Sequence, residues 1–347
     1  MSRDADLYGA KIEEIAGAEP VAVPPCPVCG QTLAVPRFAM SDRDLRVVLC
    51  TECGHGRLDP CPTREEIREL YPAHYYAGED DRKFEPLVEG ILRWVAARHA
   101  AFWARGMPRG GRVLDVGCGR GVLLGSFLDR GIEAHGLEIG PDAVRGIDPR
   151  VGVRFADRLE DASFPEAHFD QILLWHVLEH LPDPRGTLCE CRRILRPGGR
   201  IVIALPNLAS CQARWAGPAW FHLDLPRHLQ HFPVHALERL LGECGFRRTA
   251  RYDFSLRQNP FGWLQSALNR LDFLPRNGLY LLLQPQSGAA LRWPRRLKLV
   301  LRLCYWLGMP LGLLASLVET AFRSGATVTV VAERLADSAV QTAGRRG

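Results

Sequence analysis

The chain reads as an α/β protein built on a Rossmann-like, mainly parallel sheet with helices on both faces. Three observations predict this. From residue 112 onward, short apolar strands alternate with helix-length segments, and a glycine-rich turn, VLDVGCGRG at 113–121, closes the first strand. Two Cys-x-x-Cys-Gly pairs, CPVCG at 26–30 and CTECG at 50–54, stand ahead of that turn and predict a separate small module. The composition agrees: 347 residues, 47% hydrophobic and 24% charged, describe a folded chain with room for two domains.

Residues 1–20 read as a flexible leader; its acids and its lack of an apolar stretch argue against a signal peptide. Residues 21–62 read as a zinc ribbon. Two hairpin tips bring Cys26, Cys29, Cys50 and Cys53 around one ion, and such a closed thiolate set makes the Zn2+ structural. His55 and Cys61 are expected to be bystanders, and the eleven cysteines read as ligands and buried thiols, not disulfides. Residues 63–110 carry a linker, LYPAHYYAGEDD at 70–81, and a cofactor-covering helix. Along that helix Leu87, Ile91, Trp94, Val95, Phe102 and Trp103 recur at roughly helical spacing.

Residues 111–255 hold the core, as strands RVLDVG, EAHGLEIG, VRFADRL, FDQILLW and RIVIALPN. Between and after them VLLGSFLDRG, DPRGTLCECRRILRPGG and HALERLLGECGF read as helices. Residues 256–325 read as a basic and apolar helical insertion. Between 256 and 310, Arg257, Arg270, Arg276, Arg292, Arg295, Arg296, Lys298 and Arg302 face a single acid, Asp272. LCYWLGMPLGLLASLV at 303–318 is free of charge but shorter than the ~20 residues of a bilayer span, with Pro310 inside it. Two readings stand: contact with an anionic membrane surface, or a cap buried on the sheet or in a dimer. Residues 326–347 are the last strand and a frayed tail.

The turn at 113–121 spaces its glycines as Gly-x-Gly-x-Gly, not as the Gly-x-Gly-x-x-Gly of nicotinamide folds. Asp115, just before them, would repel a diphosphate at short range. A cationic, phosphate-free ligand suits the turn, and S-adenosyl-L-methionine is one.

With Glu138 ending the second strand and FDQILLWHVLEHLPDP and ILRPGGRIVIALPN downstream, the sequence resembles class I S-adenosylmethionine-dependent methyltransferases over about residues 86–255 plus the last strand. The resemblance implies their seven-stranded sheet. The cysteine pairs and DLPRHLQHF at 224–232 resemble a bacterial subgroup with a zinc-ribbon leader, whose members tend to sit in polysaccharide, sugar or lipid-conjugate pathways. It further implies that Gly117, Cys118 and Gly119 pass close to the cofactor's methionine part, that Asp115 meets its ammonium, and that Glu138 and Ile139 hold the ribose. Asp157, Arg158 and Leu159 would pass the adenine, and Trp175 and His176 would line the sulfonium. In some quinone O-methyltransferases of similar fold the stretch matching WHVLEHL reads Glu-x-x-Glu-His and is associated with a divalent metal. Here His176 replaces the first acid, so only Glu179 and His180 match.

Methyl transfer needs a base only for a neutral hydroxyl or carbon acid, and His176, His180, His228 and His231 are the candidates. The last two lie on a loop expected to face the pocket; there the alternative is that Arg227 and His228 only fix the loop while His231 packs beneath it. The expected activity is methyl transfer to a hydroxyl or carbon of a sugar, polysaccharide or lipid-linked intermediate in the cytoplasm or at the inner face of the membrane. A zinc-ribbon RNA methyltransferase and a non-catalytic S-adenosylmethionine-binding protein are the alternatives. Residues 26–62 balance four acids with four arginines and the formal charge is only +5, so nucleic acid is not the expected partner. On this reading removing zinc lowers stability and spares the pocket.

Overall fold

The computed structural model describes residues 11–70, 86–284 and 293–336. The first ten residues, the linker from Tyr71 onward, Arg292 and the terminal QTAGRRG lie outside them, as does the side chain of Leu87.

The N-terminal module is an antiparallel sheet of β1 (Ile12–Glu14), β2 (Val21–Ala22), β3 (Leu33–Met40), β4 (Arg46–Cys50) and β5 (Gly56–Asp59). The leader is therefore shorter than expected. Ile12 pairs with Met40 and is buried with Phe38 and Val47, because its side chain falls on the apolar face of β3. A short helix α1 (Arg64–Glu69) follows, set by a capping box in which Thr63 Oγ1 accepts from the Glu66 amide and Glu66 accepts from the Thr63 amide.

Helix α2 (Pro86–Trp103) leads into the main sheet. Its buried stripe is Val95, Ala100 and Trp103, with half-buried His99 beside them; Ile91, Trp94 and Phe102 sit on the flank, exposed. Six strands follow in the order β6 (Arg112–Val116), β7 (Glu133–Glu138), β8 (Gly152–Phe155), β9 (Phe169–Trp175), β10 (Leu195–Pro206) and, after a two-residue β11 (Gln230–His231), β12 (Phe246–Tyr252). With β13 (Thr327–Arg334) they form one seven-stranded sheet, β12-β13-β10-β9-β6-β7-β8, in which β13 alone runs against its neighbours.

Alternation along the strands sends side chains to two cores. One face buries Ile172, Leu174, Ile201 and Ile203 under α4 (Pro184–Ile194) and α6 (Val234–Glu243). The other buries Val113, Leu173 and Val202 under α2 and α3 (Val122–Leu128). Helices thus cover both faces, as expected for this fold class.

Several boundaries differ from expectation. The helix from Pro184 stops at Ile194 and does not reach Pro197, because Leu195 already pairs with Phe169 in the sheet. The next helix ends at Glu243, since Gly245 takes φ +78° and turns the chain so that Phe246 opens β12. The third strand is cut to Gly152–Phe155.

The two sheets are not independent. Strand β11 pairs with β5 across Gln230–Arg57 and His231–Gly56, so the loop after β10 closes the N-terminal sheet. A short helix α5 (Cys211–Ala216) and the turns after it pack on the same sheet through Trp220, Leu223 and Leu229. Among its described residues the insertion holds α7 (Asn259–Asn269), α8 (Gly278–Leu283) and α9 (Arg295–Ala321), and α9 runs unbroken through Pro310 for 27 residues.

Candidate active site

A cavity of about 740 Å³ opens at the carboxyl ends of β6, β7 and β9. Its size falls within the ~300–1,000 Å³ of small-molecule sites. The turn after β6 is its floor. Gly117 has φ +68°, and a Cβ there would strike Val177. Gly119 has φ +50° and nothing within 4 Å of where its Cβ would stand, so the turn leaves a free cradle above it. Cys118 lines the cavity, and its thiol is buried against Gly136 of β7.

Two carboxylates face this cradle. Glu138 is held at the tip of β7 by the amides of Gly119 at 2.7 Å and Ile139 at 3.1 Å, which leaves each oxygen a further lone pair for hydroxyls. Burial pushes its pKa up. Asp115 is 5% exposed and its Oδ1 has no hydrogen-bond partner among the described residues. Burial first, and then the nearby Glu138, raise its pKa to about 8. An unpartnered buried oxygen is costly unless a cation or donor arrives. The cradle and the two acids therefore fit an aminoacyl nucleoside with a positive charge and a ribose.

Ile139 and Leu159 line the same cavity from either side, Ile139 half-exposed and Leu159 buried. Asp157 and Arg158 also line it, but both are engaged: Asp157 pairs with Arg68 of α1, and Arg158 with Glu160 at 3.1 Å. The Arg68 pair ties α1 over this side of the pocket. Trp175 ends β9 with its ring 4.9 Å from that of His99 on α2.

His176 follows with φ +55°, a backbone conformation that favours glycine and that the Ala204 carbonyl holds through the His176 amide at 2.8 Å. Its Nδ1 lies 3.0 Å from Glu179 Oε1. Glu179 is buried. Burial alone would raise its pKa, yet the hydrogen bond from His176 and the nearby His176, His180 and His228 hold it at about 2. An ionised carboxylate can only accept, so Nδ1 carries a hydrogen. Nε2 is buried and has no partner among the described residues, and His176 lines the cavity. The arrangement is a carboxylate–imidazole pair at the cavity wall.

The remaining histidines are placed differently. His180 lines the cavity and its Nδ1 meets the Arg227 carbonyl at 3.0 Å; burial, with His228 beside it, lowers its pKa to about 4. His228 stacks behind it, ring centroids 4.6 Å apart, with its Nδ1 2.8 Å from the His222 carbonyl. His231 is a strand residue of the first sheet, and burial lowers its pKa to about 3. Neither His228 nor His231 lines the cavity, which corrects the expectation that their loop faces it. The pairing of β11 with β5 turns that loop inward. Glu179, His180 and His228 each bring one ligand atom within 4.8 Å of the others, a three-donor set beneath the pocket.

Cys26, Cys29, Cys50 and Cys53 gather as their spacing requires, all four sulfurs within 4.8 Å of one another. The 3.6 Å between Cys26 and Cys53 and 3.4 Å between Cys29 and Cys50 approach the ~3.8 Å sulfur separation of a tetrahedral thiolate site with ~2.3 Å bonds. His55 stands outside this four-thiol set, as expected; buried, it sets Nδ1 3.8 Å from Cys26 Sγ and its ring 4.6 Å from that of Phe232.

Several lining residues were missed in the sequence: Arg64, Ile67 and Arg68 of α1, Arg93 and His99 of α2, and Ser255, Arg257 and Gln258 after β12. Thr63-x-x-Glu66 announces α1 as a capping box. Nothing local announces where the others meet.

A mostly parallel sheet with one reversed strand, a glycine cradle and acids on its first two strand tips form the arrangement expected of a class I S-adenosylmethionine-dependent methyltransferase domain. Residues 89–250 match the family described as a methyltransferase domain. The chain is 32% identical over 132 residues to a ubiquinone biosynthesis O-methyltransferase of Xanthomonas oryzae, covering 35% of this chain and 55% of the relative. It is 29% identical over 189 residues to a demethylmenaquinone methyltransferase of Tropheryma whipplei, covering 47% of this chain and 78% of the relative. The chain thus spans about half the length of the first of these relatives. Among solved structures it is similar to a SAM-dependent methyltransferase from Archaeoglobus fulgidus, with 20% identity, a TM-score of 0.45, and coverage of 70% of this chain and 94% of that one.

Proposed function

We propose that this protein transfers a methyl group from S-adenosylmethionine to a hydroxyl oxygen or carbon of a lipid-linked or sugar-containing acceptor, with His176 as the base. The observation that carries it is the His176–Glu179 pair at the cavity wall, with Nε2 unpartnered. S-adenosylmethionine in the cradle would supply a carbon already activated by its sulfonium. Asp115 would receive the ammonium, Glu138 the ribose hydroxyls, and Ile139 and Leu159 would flank the base. The remaining task of the chain is to align the acceptor and remove its proton, which His176 would hold at Nε2 while Glu179 stabilises the imidazolium.

Arg64, Arg93 and Arg257 reach the cavity from three separate elements, which supports an acceptor bearing an anionic group such as a phosphate. A second reading, a phenolic quinone precursor, is favoured by the printed functions of the Xanthomonas and Tropheryma relatives. The four thiols are proposed to hold a structural zinc.

Labelled S-adenosylmethionine, incubated with the protein and fractionated cell extract, separates these readings. Label should enter a phosphate-bearing glycolipid fraction; label confined to the quinone fraction gives the second reading, and label in RNA removes both. His176→Ala should slow the reaction by about 10²–10⁴-fold with S-adenosylhomocysteine affinity retained. An unchanged rate would remove His176 as base.

A further inference from the structure

We propose that α9 is an in-plane docking surface for an anionic lipid bilayer, which brings the enzyme to the lipid-linked acceptor; that last clause alone rests on the proposed function. The helix is long and apolar enough by length and composition to cross a membrane, and most of it is not buried within the protein.

Its outer face is one apolar stripe from Leu299 to Phe322, with Trp306, Leu307 and Leu311 exposed by 64%, 72% and 69%. Leu303, Leu314 and Val318 continue it at three- and four-residue spacing, and no charged residue occurs between 303 and 318. A stripe of this length far exceeds the scattered surface leucines of ordinary soluble proteins.

The inner face is committed elsewhere. Gly308 and Gly312 lie so close to α7 that a Cβ on either would collide, with Leu264 and with the Pro260 carbonyl respectively. One turn on, Ser316 is buried, and Glu319 accepts from Trp263 Nε1 at 3.0 Å and the Ala326 amide at 3.1 Å. The small-residue seam that joins helices in membranes is thus consumed within the chain. A helix fastened lengthwise to α7 in this way cannot cross a bilayer without carrying α7 and the buried Glu319 into hydrocarbon. It can lie in the surface plane.

Charge selects the partner. Arg295, Arg296, Lys298 and Arg302 occupy the first turns of α9, and no acidic residue occurs from 273 to 318. Anionic headgroups complement that end, whereas a second copy of the chain brings the same sign. Position follows too: Gln258 lines the cavity and Asn259 begins α7, so the docked helix pair starts at the rim of the reaction space.

The test is flotation of the full chain with phosphatidylcholine vesicles, with and without phosphatidylglycerol. Binding should be at least about tenfold stronger on the anionic vesicles and weaken in high salt. Leu307→Glu/Leu311→Glu should abolish it while melting temperature and S-adenosylhomocysteine affinity stay unchanged; Leu307→Ser/Leu311→Ser, the milder pair, should weaken it. Equal flotation of wild type and both variants overturns the proposal. So does a soluble dimer that the variants split and that ignores vesicles, or vesicle-bound protein that resists alkaline carbonate extraction. Vesicle binding without labelled lipid leaves the docking standing and sinks the acceptor assignment; labelled lipid without vesicle binding does the reverse.

Discussion

At the scale of single residues, Asp115 combines a raised pKa with an orphaned oxygen, and the two have one cause. The carboxyl is buried beside another acid and meets no cation until the cofactor arrives. Below about pH 8 it keeps its proton in the free enzyme, so the electrostatic premise drawn from sequence, a standing negative charge, holds only once a ligand is bound. The sign follows: a cationic ligand lowers the folded pKa, so binding at neutral pH releases a proton, and affinity rises with pH toward 8. Titration calorimetry with S-adenosylmethionine in buffers of different ionisation enthalpy should report that release. Asp115→Asn should eliminate it and weaken binding by at least about tenfold, since a charge-assisted hydrogen bond is worth ~1.5–3 kcal/mol. Proton release that survives the substitution would assign it to another group. His176 and Glu179 were both visible in WHVLEHL, but their pairing was not. It depends on His176 taking φ +55°, which the sheet neighbour Ala204 holds in place.

Among the elements, α9 and α7 depend on how closely two backbones can approach. Gly312 sits over the Pro260 carbonyl, a backbone atom that cannot rotate away, whereas Gly308 sits over the end of the Leu264 side chain, which can. Gly312→Ala is therefore expected to cost ~1–3 kcal/mol and Gly308→Ala clearly less, measured by urea unfolding. Equal costs would mean that the helices separate freely. The sequence showed an apolar run broken by Pro310 and predicted a helical insertion. It could not show which face the insertion buries, because the stripe of small residues and the stripe of large ones are equally periodic. Only the contact with Asn259–Asn269 separates them. Helix α1 shows the opposite case: its capping box is local, and so legible, although its ion pair with Asp157 joins residues 89 apart.

Across the whole molecule, the four-cysteine module and the loop that carries His176 and Glu179 are one structure. The Leu58 amide donates to the Leu229 carbonyl and the Leu229 amide to the Glu179 carbonyl, 2.9 and 2.8 Å, which links β5 directly to the residue paired with His176. Arg185 donates to the carbonyls of Pro27 and Val28, and His235 Nε2 lies 2.9 Å from the Cys53 carbonyl. These links run against the sequence-based expectation that metal removal spares the pocket. Stripping the metal with a strong chelator should lower the melting temperature and methyl transfer together, and Cys29→Ser should do the same. Full turnover by a metal-free protein with a lowered melting temperature would show that the two parts are uncoupled.

The sequence by itself determined the α/β class, the cofactor cradle and the thiol cluster. In each of these the chemistry is set by residues a few positions apart: glycines where the backbone must turn, an acid at a strand tip, cysteines three apart. Tertiary structure alone decided which histidines reach the cavity, that the N-terminal sheet borrows β11 from the core, and which face of α9 is left bare. Those outcomes depend on pairings such as Arg57 with Gln230, between segments far apart in the chain, where no local periodicity or spacing records the partner.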